Sequence, residues 1–456
     1  MYWLRISISR LSRELKPGKS FVVTDVLADG GCVALSSLGP QNPAHDPLEH
    51  LDEAKENVRM GVGAGVSCLV ARGIADIEVD CAGQPRAAAE GAHLAAWTFE
   101  KFKSPESQRG KARLSGLGGE KEWAVGVTLA ESQNWARYLS DMPANAMTPY
   151  DLAQEALDVL CPLGVQVSVR DGGWAQAQGM EAFLAVARGS AEPPLLLECH
   201  YRGAGNDPPV LLASPALTFD SGGLCLKSAS EMSTSRGCMS GAAAVLATLR
   251  VLALTKTAIN VGAVIPVCEN MVSGQCLKVG DVVKALNGIN IQVDDTDMEG
   301  RLLLADALVY GQALLKPALV LDVAALTHSA SLATGGGAFG CFSNSESAWI
   351  GLRSAGQDSG DRPWRMPLWG YYARHIQEDP AVDLRNRGSG AALSCVGAAF
   401  LKNFICADWM HLDISGVGKL AEGQAPPYLN PRRMTGRPTR TLATFLMNLV
   451  RQECRK

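Results

Sequence analysis

Apolar positions recur along this chain with two periods, and the places where the period changes divide it. The runs "SFVVTDVL" (20–27) and "SCLVA" (67–71) are short and apolar, the signature of strands. The segment "DPLEHLDEAKENVRMGVGAG" (46–65) predicts a helix with an acidic start, and "AAAEGAHLAAWTFEKF" (87–102) predicts another. Near the start, "YWLRISIS" places Leu4, Ile6 and Ile8 on one face and predicts an edge strand. The stretch "KSPESQRGKARLSGLGGEKE" (103–122) is polar and rich in Gly, Ser and Lys, which marks a loop or boundary. The pattern "EWAVGVTLAESQNWARYLSDMP" (122–143) predicts a long helix that stops near Pro143. These elements predict a small α/β domain over 1–121 and a connecting helix over 122–145.

Beyond the connecting helix, several apolar runs lose their polar alternation. "PVLLASPALTF" (209–219), "INVGAVIPV" (259–267) and "PALVLDVAALT" (317–327) resemble strands buried on both faces. Helical patterns lie between them, at "GAAAVLATLRVLALT" (241–255) and "RLLLADALVYGQALL" (301–315). Such alternation predicts an α/β domain over 146–456, with a helix-flanked central mixed sheet.

Composition narrows the function classes. The chain has 456 residues, more than one core usually serves. With 47% apolar and 19% charged residues, it is too apolar for disorder. The net charge is −4, so no nucleic-acid partner is expected. No run of about 18 uncharged apolar residues stands out, and no membrane span is expected. Thirteen scattered cysteines without a CxxC pair predict reduced thiols and a cytoplasmic setting. Seven scattered histidines without HExxH argue against a histidine-based zinc site. The opening "MYWLRISISRLSR" carries Arg5, Arg10 and Arg13, three serines and no acid. That composition also suits a mitochondrial targeting segment.

Two stretches carry candidate chemistry. In "DDTDMEGRLLLADAL" (294–308), an extended backbone over 297–301 would place Asp297, Glu299 and Arg301 on one side. Clustered carboxylates at a strand end suit divalent cations. The same acids also suit a helix N-terminus, which needs no metal. In "LLASPALTFDSGGLCLK" (211–227), Asp220 closes an apolar run, and Gly222 and Gly223 turn the chain towards Lys227. Alone, that stretch reads equally as a strand, a turn and a surface lysine.

Together the stretches form a pattern. "TFDSGGLCLK", "GDVVKALNG", "DTDMEGRLLLADAL" and "MTGRPTRTL" occur in the order and spacing of the leucyl (cytosol) aminopeptidase family. The chain resembles that family from about residue 17 to residue 448. The resemblance implies two domains, a homohexamer and removal of N-terminal residues from peptides. It also implies two divalent metals, zinc or manganese, and a bicarbonate. At the matching positions it implies Asp220, Asp297 and Glu299 as metal ligands. Lys227 matches a catalytic lysine, and Arg301 a catalytic, bicarbonate-binding arginine.

Two ligand positions depart from the pattern. Pro215 stands where the family has a lysine, and Cys238 where it has an aspartate. Proline offers no side-chain donor, whereas a thiolate suits zinc. At most one metal site is therefore expected to be occupied. Catalysis is expected to be impaired or lost, which leaves a structural or scaffold role as a hexamer. The alternative is an active metalloaminopeptidase with a single-metal or cysteine-containing site, acting on peptides. The N-terminal domain is also short for the family.

Overall fold

The computed structural model describes residues 15–25, 31–40, 45–233, 235–420 and 423–453. The expectations for "YWLRISIS", as an edge strand or part of a targeting segment, lie outside the described residues.

A nine-stranded mixed sheet forms the centre of the larger domain. Its four middle strands are Asp408–Asp413, Leu319–Ala324, Val210–Ala213 and Asn260–Asn270, all mutually parallel. Leu195–Arg202 and Gln166–Asp171 extend one side with antiparallel pairing. Ala338–Ser343 and Arg362–Arg365 extend the other. Ala216–Asp220 also pairs with Asn260–Asn270, in parallel.

Uninterrupted apolar runs form the middle strands because both faces are covered. Leu212, Leu321 and Val323 face one core, shared with helix Ser240–Leu254. Leu211, Ala213 and Val320 face the other, shared with helix Gly300–Leu315. Each such leucine or valine contributes about 1.5–3 kcal/mol by leaving water.

The run 209–219 forms two strands, not one. Pro215 has no N–H for the ladder, and the pairing with Asn260–Asn270 is interrupted at Ser214 and Pro215. The Ser214 hydroxyl donates instead to the Val323 carbonyl, at 2.7 Å.

The run Gly237–Leu254 has a mean hydropathy of 1.7 and the length to cross a membrane. Arg250 interrupts its apolar character, and 72% of it is buried inside the protein, as suits a core helix.

The smaller domain has its own core, built from Val58, Val66, Leu69, Ile77 and Val79 with small residues of helix Pro85–Ala96. "SCLVA" is not a strand. It ends helix Glu53–Val70, whose apolar stripe it continues and which Asp52 caps by accepting from Lys55 N. Strands Asp76–Asp80 and Arg113–Leu117 pair in parallel. The second lies within the stretch expected to be loop.

The connecting helix spans Glu120–Asp141 and packs between Pro85–Ala96 and Ser240–Leu254. Charge also ties the domains together. Buried Glu90 accepts from Arg59 Nε at 2.8 Å, Arg86 Nε at 3.1 Å and Arg440 Nη1 at 2.6 Å. Arg440 belongs to the C-terminal helix Thr439–Glu453. Burial alone would raise the Glu90 pKa, but the arginines outweigh it and hold it at about 2.

Candidate metal centre

Asp220 is the last residue of its strand and is buried. The chain then turns through Gly222 at φ +86° and Gly223 at φ +68°. A Cβ on Gly222 would lie 2.5 Å from the Cys225 carbonyl and 3.1 Å from Asp297 Oδ1. Glycine therefore lets the turn close against the acid. Lys227 N donates to the Ser221 carbonyl at 2.9 Å, folding the lysine back over the strand end. Its ammonium donates to both Asp220 and Asp297. Burial works against that positive charge, but Glu299 and Asp220 outweigh it and raise the lysine pKa.

The 294–301 segment reaches the site differently from the extended backbone expected. Residues 296–297 lie in a turn, and Glu299 has helical φ −70° and ψ −32° at the head of Gly300–Leu315. Asp297 and Glu299 therefore meet Asp220 because a turn wraps around, not because alternate residues share a side. Asp295 braces this turn: its Oδ1 accepts from Asp297 N at 2.9 Å. Asn386 Oδ1 accepts from Asp294 N at 2.8 Å and Asp295 N at 3.2 Å.

Two side chains join the halves of the site. Thr296 Oγ1 donates to the Gly222 carbonyl at 2.7 Å and accepts from Cys225 N at 2.9 Å. Asn270 Nδ2 donates to Asp220 Oδ1 at 2.9 Å and to the Thr296 carbonyl at 3.0 Å. Sequence reasoning missed Asn270, Thr296 and Asn386. The only available signal was Asn270 as a polar end to a long apolar run.

Carboxylate oxygens of Asp220, Asp297 and Glu299 lie within 4.8 Å of one another. Glu299 is 6% exposed, and among the described residues its Oε2 has no hydrogen-bond partner. Burial and the neighbouring Asp220 push its pKa up to about 8. Three acids thus share one lysine, and one oxygen lacks a partner. This donor set fits one divalent cation with oxygen preference.

Pro215 and Cys238 stand where the resemblance places the donors of a second cation. Pro215 presents only its ring, and a methyl placed on Gly300 would lie 3.8 Å from Pro215 Cγ. Cys238 Sγ lies 3.9 Å from Asp220 Oδ2. Burial and Asp220 push its thiol well above the ordinary cysteine range.

Arg301 is anchored to the main chain, and among the described residues its Nε has no hydrogen-bond partner. It is fully buried, with Nη1 donating to the Asn386 carbonyl at 2.5 Å and Nη2 to the Leu393 carbonyl at 3.0 Å. Burial lowers its pKa to about 10.

Residues 134–443 match the description "Cytosol aminopeptidase family, catalytic domain". The chain belongs to the cytosol aminopeptidase family. Cytosol aminopeptidase of Xenopus tropicalis is 41% identical over 453 residues, covering 98% of this chain and 86% of that protein. The Homo sapiens protein is 40% identical over 450 residues, covering 97% and 86%. Among solved structures, the bottromycin maturation enzyme BotP aligns with a TM-score of 0.87 and 29% identity, covering 98% of this chain and 96% of that chain. The same enzyme in complex with Mn aligns with a TM-score of 0.87 and 30% identity, covering 97% and 96%. The family consists of metal-dependent aminopeptidases, and the carboxylate cluster here lies within the matched catalytic domain.

Proposed function

We propose that this cytosol aminopeptidase-family protein has an impaired or lost peptidase reaction and serves a structural or scaffold role, assembled as a homohexamer. One observation carries the reading: the wall formed by Pro215 and Cys238 offers no carboxylate and no amine to a second cation. Asp220, Asp297 and Glu299 would hold a single zinc or manganese ion. When bound, such an ion supplies Lewis acidity and makes an adjacent water easier to deprotonate. Lys227 holds its positive charge beside the carboxylates, where a peptide carbonyl would develop negative charge. Main-chain carbonyls hold Arg301 Nη1 and Nη2, which leaves its Nε to meet the bicarbonate that the family resemblance implies. The relatives' name supports a cytoplasmic location, and the net charge of −4 argues against a nucleic-acid partner.

The test is hydrolysis of a leucyl chromogenic amide with added manganese or zinc, alongside metal analysis. No turnover is expected, with activity appearing when Pro215→Lys is combined with Cys238→Asp. Turnover that vanishes on Lys227→Ala would overturn the reading. A second reading, an active aminopeptidase using one cation, is favoured by the unpartnered Glu299 Oε2 in a three-carboxylate cluster.

A further inference from the structure

A cavity of about 750 Å³ lies elsewhere in the molecule, in the size range of small-molecule sites. Its walls come from the segment after Pro85–Ala96, from the connecting helix, and from Arg250 of Ser240–Leu254. Four aromatic residues line it: Trp97, Phe99, Trp135 and Tyr138.

Its charged groups are unequal. Lys101, Arg109, Lys111 and Arg250 face Glu100 and Glu131, with His93 beside them. Both acids are already engaged. His93 Nδ1 lies 2.8 Å from Glu131 Oε1, while Lys103 Nζ and Arg109 N donate to Glu100 at 2.8 and 2.7 Å. Arg250 is half-buried, and among the described residues it has no ion-pair partner. Its Nη1 donates to Ser132 Oγ at 2.7 Å. Burial pulls its pKa down, and Glu131 offsets this only in part. The Lys101 ammonium meets the hydroxyl of Tyr138 and sits 5.0 Å from its ring centre. Two wall residues also carry buried polar atoms without a partner among the described residues, His93 Nε2 and Trp135 Nε1. Native interiors leave few such atoms unsatisfied unless water or a ligand serves them.

We propose that this cavity binds a small aromatic anion, its ring against the aromatic walls and its phosphate or carboxylate paired with Arg250. Arg109 and Lys111 on the exposed loop attract the anion, and Lys101 adds a cation beside Tyr138. Stacking alone would accept a neutral ring, and charge alone would accept inorganic phosphate. The combination selects a molecule that carries both.

The experiment is isothermal titration of the full chain with adenosine monophosphate and with indole-3-acetate. Adenosine, tryptophol and inorganic phosphate serve as the partial molecules. At least one of the two acids is expected to bind with a Kd below about 1 mM, with the matching partial molecules about tenfold weaker or worse. Whichever acid binds identifies phosphate or carboxylate as the anionic group. Arg250→Met is expected to weaken binding about tenfold. Lys101→Met, on the exposed loop, should weaken it about threefold and serves if the arginine variant does not fold. No binding of either acid up to about 5 mM overturns the proposal. So does equal binding of a partial molecule, or unchanged binding in the folded variants.

Discussion

Glu90 and Glu299 are both buried glutamates, 0% and 6% exposed, with opposite surroundings. Three arginines converge on Glu90 and hold its pKa at about 2. Glu299 shares its pocket with Asp220 and is pushed up to about 8, with one oxygen unpartnered. The first cluster has its charge compensated within the chain and joins two domains. Among the described residues the second has more acid than Lys227 offsets, the condition that a cation relieves. Burial alone therefore does not separate a structural acid from a binding one; the local charge balance does.

The comparison can be broken most sharply by substitution. Glu90→Ala leaves Arg59 and Arg440 buried without their acid, and a loss of about 3–5 kcal/mol is expected in urea denaturation at neutral pH. Glu299→Gln removes an uncompensated acid and should cost under about 1 kcal/mol. Equal losses would refute the distinction.

Acid titration probes the Glu90 side alone. Its folded pKa lies below the ordinary 4.5. Its stabilisation is therefore fully present above about pH 4.5 and fades as pH falls towards 2. Glu90→Gln should flatten that part of the stability profile, followed by circular dichroism; an unchanged slope would mean other groups dominate.

Added manganese tests the Glu299 side. At a hundredfold excess over Kd, stability should rise by about 2.7 kcal/mol, read as a higher melting temperature. Bound metal should not exceed one ion per chain, and Glu299→Gln should abolish the rise. Two ions per wild-type chain would show that the Pro215 and Cys238 wall still binds. Asn270→Ala acts on the support of the site and not on its charge. It removes two hydrogen bonds that join the halves of the site, about 1–3 kcal/mol in stability. It should also lower manganese affinity while keeping the one-ion stoichiometry.

How much of this was legible in the sequence depended on the kind of signal. The middle strands were visible because both faces are apolar, leaving continuous runs such as 319–324. Asp76–Asp80 was missed because three acids alternate with Ile77 and Val79, and half of each short strand faces water. "SCLVA" misled because a five-residue apolar run fits a strand or a helix end equally well. At the site, Asp220, Lys227, Asp297 and Glu299 were identified by motif resemblance, and the structure brings these four together. The extended backbone assumed for 297–301 was not the means, since turn geometry follows from side-chain braces with no periodic signature. Asp295 and Asn386 are such braces. Arg301 lay within the recognised motif, but nothing in the residue pattern told that its guanidinium would serve two main-chain carbonyls.

The interruption at Ser214 and Pro215 bears on what a ligand at this position would require. A lysine at position 215 would bring an amide hydrogen as well as an amine, between strands Val210–Ala213 and Ala216–Asp220. The Ser214 hydroxyl already occupies the Val323 carbonyl of the adjoining strand, and an unmet buried amide costs about 1–3 kcal/mol. A lysine there must therefore find its amide an acceptor as well as its amine a metal. One ring thus removes two groups at once, the ladder hydrogen and the side-chain amine.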